Sequence, residues 1–189
     1  MRPGPDTDPA LRTPTVIGAN PALQLFDDRG SCTAYVSVWV VDWSEHGAGR
    51  AIVMWRPCSV WVIGDNPALG VWLAETFVCH FPELEGLPWS TPRVERSMVR
   101  VRMDLASGMT AHGGGVGVHM SGILDRRVVA ADAFTLGGIP HSLSLVLVPC
   151  ARGTACVRGQ ALPGSITVGG TPGQPSSSAF MTAAEVWRR

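Results

Sequence analysis

Residues 31–43 read SCTAYVSVWVVDW; after a glycine-bearing break at 46–49, residues 50–56 continue as RAIVMWR and residues 58–63 as CSVWVI. β-Branched and aromatic residues dominate all three runs, and successive side chains of a strand point to opposite faces. In the first run one face holds Cys32, Ala34, Val36, Val38, Val40 and Asp42, and the other Thr33, Tyr35, Ser37, Trp39, Val41 and Trp43. Neither is a solvent face. The first reads as dry core; the second, with aromatics beside hydroxyls, reads as the lining of a ligand pocket. Ala51, Val53, Trp55, Ser59, Trp61 and Ile63 share one parity and repeat the theme. Trp39, Trp43, Trp55 and Trp61 are four of the seven tryptophans in the chain. Crowded into neighbouring strands, they predict a hydrophobic wall for a polyene, terpene, polyketide or aromatic guest.

Outward from this core the chain alternates short apolar runs with turn signals. Strands are expected at 21–26, 93–105, 109–121, 126–131, 142–149, 154–158 and 165–168. Pro57 suggests a bulge or a strand leaving the sheet edge. The pattern predicts a mainly β protein, an antiparallel β-barrel that is calycin-like or like a small cyclase barrel. Residues 15–168 form its single domain, behind a disordered lead-in at 1–14. One segment differs: GDNPALGVWLAETFVCHF, at 64–81, predicts a helix over 67–81. Asn66 caps it, Pro67 occupies its first position, and Leu69, Trp72, Leu73, Thr76, Phe77 and His80 follow a helical period. Residues 169–189 are expected to be a Gly/Pro/Ser linker followed by a short C-terminal helix, AFMTAAEVWRR, whose Thr182 and Glu185 have capping-box spacing.

In 109–121 one parity reads Met109, Ala111, Gly113, Gly115, Gly117, His119, Ser121. Alternate glycines leave that face bare, either for curvature or as a cleared cavity floor ending in His119 and Ser121. In 93–105, Arg96, Arg100, Arg102 and Asp104 lie opposite Val99, Val101 and Met103, which reads as a solvated face with Arg–Asp pairing.

Composition removes several function classes. All fifteen basic residues are arginine, as GC-rich coding produces, so lysine Schiff-base chemistry, a Walker loop and the kinase lysine are absent. The charges balance at zero with no basic stripe, which argues against nucleic acid. The five cysteines, without CxxC or a secretory segment, predict reduced thiols and a cytoplasmic protein; Cys150 and Cys156 flank a turn-like ARGTA and could face each other across a hairpin. No run approaches a membrane span. His112 and His119 would point to opposite faces of one strand, so no metal is expected, and no dinucleotide or nucleophile-elbow motif is present.

Chemistry that needs little equipment fits this inventory: an apolar cavity that folds a flexible substrate into reactive geometry. The arrangement resembles small β-barrel cyclases, the spirotetronate-forming and allene oxide cyclases, in architecture alone. It implies a cofactor-independent cyclase or isomerase of secondary metabolism, acting on a polyketide- or terpene-like substrate. The expected catalytic groups are His119 and Tyr35. The expected substrate contacts are Trp39, Trp43, Trp55, Trp61, Ser37, Met103, Gly115, Gly117 and Ser121. Two alternatives fit equally: a lipocalin-like carrier of an apolar ligand, or a homodimeric structural β protein without a pocket.

Overall fold

Tyr35 pairs with Trp55 and Trp39 with Ala51 across an antiparallel ladder, so the runs at 31–43 and 50–56 are neighbouring strands. The computed structural model describes residues 13–188 and is mainly β, with 63% strand and 9% helix. The first strands are β1 (Thr13–Ala19), β2 (Ala22–Phe26), β3 (Cys32–Ser44), β4 (Gly49–Arg56), β5 (Ser59–Gly64) and β6 (Arg93–Arg96). There follow β7 (Arg100–Asp104), β8 (Gly108–Gly113), β9 (Val116–Ile123), β10 (Arg127–Leu136) and β11 (Ile139–Val157). The chain ends with β12 (Gln160–Ala161), β13 (Val168–Thr171), β14 (Gln174–Ser177) and β15 (Ala179–Arg188).

Thirteen strands make one sheet in the order β6-β5-β4-β3-β1-β15-β11-β9-β8-β7, with β2, β10 and β12 attached to it; β13 and β14 form a separate hairpin. The terminal strands β6 and β7 are consecutive in the chain, with only residues 97–99 between them. Three residues span little more than about 10 Å, so the sheet has to curl until its two ends approach. Ser97 spans the gap: its N–H donates to Gly64 O at 3.0 Å and its hydroxyl accepts from Gly114 N at 3.1 Å. No ladder closes β6 onto β7 among the described residues. Inside the curl, Val36, Val38, Ile52 and Met54 share one closed core with Met109, Ala111, Val118, Met120, Val148 and Met181.

The helix packs on the other face of β3–β5. It is shorter than expected: α1 covers Pro67–Thr76, capped by Asn66 Oδ1 accepting from Leu69 N at 3.3 Å. Beyond Phe77 the chain tightens into 3-10 turns at Val78–His80 and Pro82–Leu84, where proline supplies no further donor. Leu69, Leu73, Phe77 and Val78 join Tyr35, Trp39, Val53, Trp55 and Val62 in a second apolar cluster.

Several boundaries differ from the sequence reading. Residues 93–105 split into β6 and β7 at opposite ends of the sheet, and 109–121 is a hairpin, β8 and β9, turning at Gly114–Gly115 with φ of 55° and 79°. The runs at 142–149 and 154–158 are one strand, β11, so Cys150 and Cys156 do not face each other; both are free thiols. Pro57 and Cys58 form a two-residue hairpin turn rather than a bulge. Of the expected strand at 165–168, only Val168 enters one, β13, and Ser165 makes an isolated bridge to Phe26. The expected linker holds the β13–β14 hairpin.

The expected C-terminal helix is strand β15, seated between β1 and β11. Its alanines favour a helix locally, but both edges find ladder partners and its alternate residues bury on two sides, so tertiary context overrides propensity. Of the lead-in, residues 1–12 lie outside the described residues, whereas Thr13 and Pro14 already belong to β1. No helix of the described residues is long and apolar enough to cross a membrane.

Candidate functional site

The second apolar cluster is not filled. A cavity of about 410 Å³ lies where the helix side of β3 meets β1, β15 and the first half of β11. That volume is within the range of small-molecule sites. Alternation in each strand supplies its wall: Tyr35 and Trp39 from β3, Val16 and Gly18 from β1, Leu143 and Leu145 from β11, and Phe180, Thr182, Ala184 and Val186 from β15. The 3-10 turns contribute His80, Phe81 and Glu83, and the end of β10 contributes Phe134 and Leu136.

Part of the wall is held by a two-residue turn. Gly137 and Gly138 join β10 to β11 with φ of 55° and 80°, the type I′ pattern that suits a hairpin. His80 packs against this turn: a Cβ at Gly137 would lie 2.7 Å from His80 Nε2. The aromatic rings interlock around the space. Trp39 sits 5.8 Å from Phe77 and 6.3 Å from Phe81, the latter stacked. His141, 2% exposed, lies 5.6 Å from Phe134 and 6.2 Å from Phe77. Its Nδ1 is 2.9 Å from Ile139 O; a carbonyl only accepts, so that nitrogen carries the proton.

His80, Glu83 and Thr135 are partly or fully exposed, and among the buried or half-buried polar groups here three are bonded. Asn20 Nδ2 donates to Ser37 Oγ at 2.8 Å and to Val38 O at 3.0 Å, and Thr182 Oγ1 donates to Asn20 O at 2.8 Å. Two are not. Tyr35 Oη and Trp39 Nε1 are fully buried and have no hydrogen-bond partner. Burial, reinforced by the Glu83 carboxylate and opposed by Ser37, raises the Tyr35 phenol well above its ordinary range. Tyr35 is therefore a neutral hydroxyl, able to donate and not poised to act as a base.

Of the residues singled out in the sequence, Tyr35 and Trp39 come together on this wall. Ser37 is buried beside them, its hydroxyl engaged by Asn20. Trp55 belongs to the same cluster, but its Nε1 donates to Pro88 O at 2.9 Å and it does not line the cavity. Trp61 lies on the opposite face, packed against the closed core with Arg93 stacked 5.1 Å above its ring. The reason is the turn before it: Arg56 pairs with Ser59 and Trp55 with Val60, so a two-residue turn puts even positions of β5 beside odd positions of β4. Trp43, 43% exposed, is a surface residue.

The same rule relocates the glycine-rich stretch. Gly113 pairs with Val116, so Val116, Val118 and Met120 face the core with Ala111, while Gly117, His119 and Ser121 face outward. His119 is exposed and is not in the cavity, and neither are Met103, Gly115 or Ser121. Gly117 does not bare a cavity floor; a Cβ there would lie 2.9 Å from Cys156 Sγ and 3.2 Å from His112 Nδ1.

Sequence reading missed Phe77, Phe134, Phe180, Leu143 and Leu145 as cavity residues. The alternation Ser142-Leu143-Ser144-Leu145 carried a readable signal for the last two; the phenylalanines come from elements that meet only in three dimensions. Among the described residues no group of three or more His, Cys, Asp or Glu side chains could hold a metal. Comparison with protein-family models, curated proteins and solved structures finds no match to this chain.

Proposed function

We propose that the protein binds an apolar small molecule carrying one carbonyl-type acceptor in the cavity beneath Phe77 and Phe81, and promotes its cyclisation or isomerisation without a cofactor. The observation that carries this reading is the pair of unpartnered donors, Tyr35 Oη and Trp39 Nε1, buried in a mostly apolar wall. A buried donor without a partner costs about 1–3 kcal/mol, so a ligand oxygen that satisfies it recovers that energy. The curled sheet, read as an incompletely closed barrel, supplies a rigid frame. A phenol kept neutral by burial can hold a carbonyl oxygen as negative charge develops on it, the role of an oxyanion-type donor. Apolar walls supply the rest by confining the chain of the guest near its reactive conformation.

The experiment compares 2-acetylnaphthalene with 2-ethylnaphthalene, which share a shape and differ in the carbonyl, by quenching of tryptophan fluorescence. The ketone should bind about tenfold more tightly, equivalent to about 1.4 kcal/mol. Tyr35→Phe, which leaves Trp39 Nε1 as the remaining donor, should reduce that preference severalfold while leaving the hydrocarbon's affinity unchanged. Equal binding of both by the parent protein would overturn the donor assignment, and binding of neither would overturn the site. The carrier reading shares the cavity and differs in turnover: incubation with polyene ketones, followed by mass spectrometry and NMR of the recovered ligand, returns them unchanged from a carrier.

A further inference from the structure

The outer face of β7, β8, β9 and the second half of β11 shares no lining residue with the cavity. The ladders set its side chains in transverse rows. One row runs Arg102–Thr110–His119–Thr154; on either side lie Arg100–His112–Gly117–Cys156 and Asp104–Gly108–Ser121–Arg152. Residues opposite one another in a ladder point to the same face. Arg100, Arg102, His119 and Arg152 are all exposed.

None of these arginines makes an ion pair among the described residues. The one carboxylate in the rows, Asp104, borders the same depression and is held in its own turn, accepting from Ala106 N at 2.9 Å and from Ser107 Oγ at 2.8 Å. The face therefore concentrates donors and positive charge in a molecule whose formal charges sum to zero. The middle row also lines a surface depression of about 350 Å³, with Arg102, Thr110 and His119 at its wall. Guanidinium, hydroxyl and imidazole side chains in one ladder row beside one open depression, with two further arginines flanking a single carboxylate, offer donors to phosphate oxygens.

We propose that this groove binds the phosphate group of a soluble small molecule, with Arg102, Thr110 and His119 as donors and Arg100 and Arg152 as flanking charge. A bilayer is a poorer partner, because none of the exposed large apolar side chains lines the groove. A nucleic acid is poorer too, because the groove has no Trp, Tyr or Phe on which bases could stack.

The test titrates the protein with inorganic phosphate at constant ionic strength, chloride replacing phosphate in the control, and follows backbone amide shifts by NMR. Saturable shifts should cluster at residues 102–110 and 119–121. Arg102→Ala should weaken binding by at least about tenfold, His119→Ala and Thr110→Val each by about threefold, and Arg29→Ala, in a separate exposed turn, not at all. All four positions leave the core untouched, and thermal melting of each variant checks its fold. Equal shifts with chloride, shifts centred elsewhere, or an equal loss in Arg29→Ala would overturn the proposal. So would a single-stranded oligonucleotide or an anionic vesicle that occupies this face and is not displaced by phosphate.

Discussion

Strand β3 has two working faces, and they obey different rules. Ala34, Val36 and Val38 point into a core closed from both ends of the curled sheet, whose fully buried members are apolar and beside which Trp61 Nε1 is buried without a partner. Tyr35, Ser37 and Trp39 point the other way, beneath α1, to a wall where the aromatic rings leave about 410 Å³ open and two donors stay unpaired. One strand of thirteen residues thus divides stability from binding by residue parity alone. The aliphatic face gives the frame; the aromatic face borders the hollow.

The largest expected effect tests the sealed side. Ile52 is fully buried in the closed core, so Ile52→Ala should lower unfolding free energy by about 2–5 kcal/mol, through lost burial and the new void. Leu145 borders a space that already exists, so Leu145→Ala should cost about 1 kcal/mol in denaturant unfolding. Equal losses would erase the distinction between the faces.

Tyr35→Phe sharpens the same comparison, because its sign is unusual for a buried residue. It removes a hydroxyl that has no partner in the empty protein, so stability should stay level or rise by up to about 1 kcal/mol in chemical denaturation. A loss of more than that would mean that the phenol is bonded within the fold and belongs to the frame.

How much of this was legible follows from where parity holds. The division of β3 and its extension to Ala51, Val53 and Trp55 could be read, because Tyr35 pairs with Trp55, odd with odd. It failed at Trp61 and His119, each beyond a two-residue turn, where odd pairs with even and index parity exchanges faces. Turn length, and not hydrophobic pattern, carried the missing information. The cavity's floor on β15 was hidden differently: the alanines of that segment satisfy a helical pattern locally, and only the vacancy between β1 and β11 selects the strand. Among the described residues the Arg–Asp pairing expected near 100–104 is not formed, and Asp104 accepts instead from Ala106 N and Ser107 Oγ of its own turn.

High pH provides a third contrast, since each face buries one weak acid. Cys150 lies in the closed core, where burial raises its thiol from 9.0 to about 11, and Tyr35 on the cavity wall is raised in the same sense. In both cases the native state keeps a proton that the unfolded chain has released. Stability is therefore full below about pH 9 and falls as pH rises toward 11. Cys150→Ala and Tyr35→Phe should each flatten that decline in melting temperature, and the double variant should flatten it most. A slope unchanged in the double variant would assign alkaline unfolding to other groups.

The smallest effect concerns the turn that exchanges the faces. Pro57 and Cys58 connect β4 to β5, and Cys58 adopts φ of 65°, a left-handed conformation that side chains with a Cβ resist. Proline followed by a residue of positive φ is the type II arrangement, in which glycine is preferred at the second place. Cys58→Gly should relieve the strain while adding some freedom to the unfolded chain, for a net gain of about 0.5 kcal/mol in denaturant unfolding. Because the loop keeps two residues, Trp55 stays opposite Val60, and Trp61 stays on the closed-core side with Arg93 over its ring. Binding of the ketone probe should be unchanged, since Cys58 is exposed and lies outside the cavity. A variant that gained stability but lost the ketone would show that the turn shapes the hollow as well as the register, and the two faces of the sheet could no longer be treated as independent.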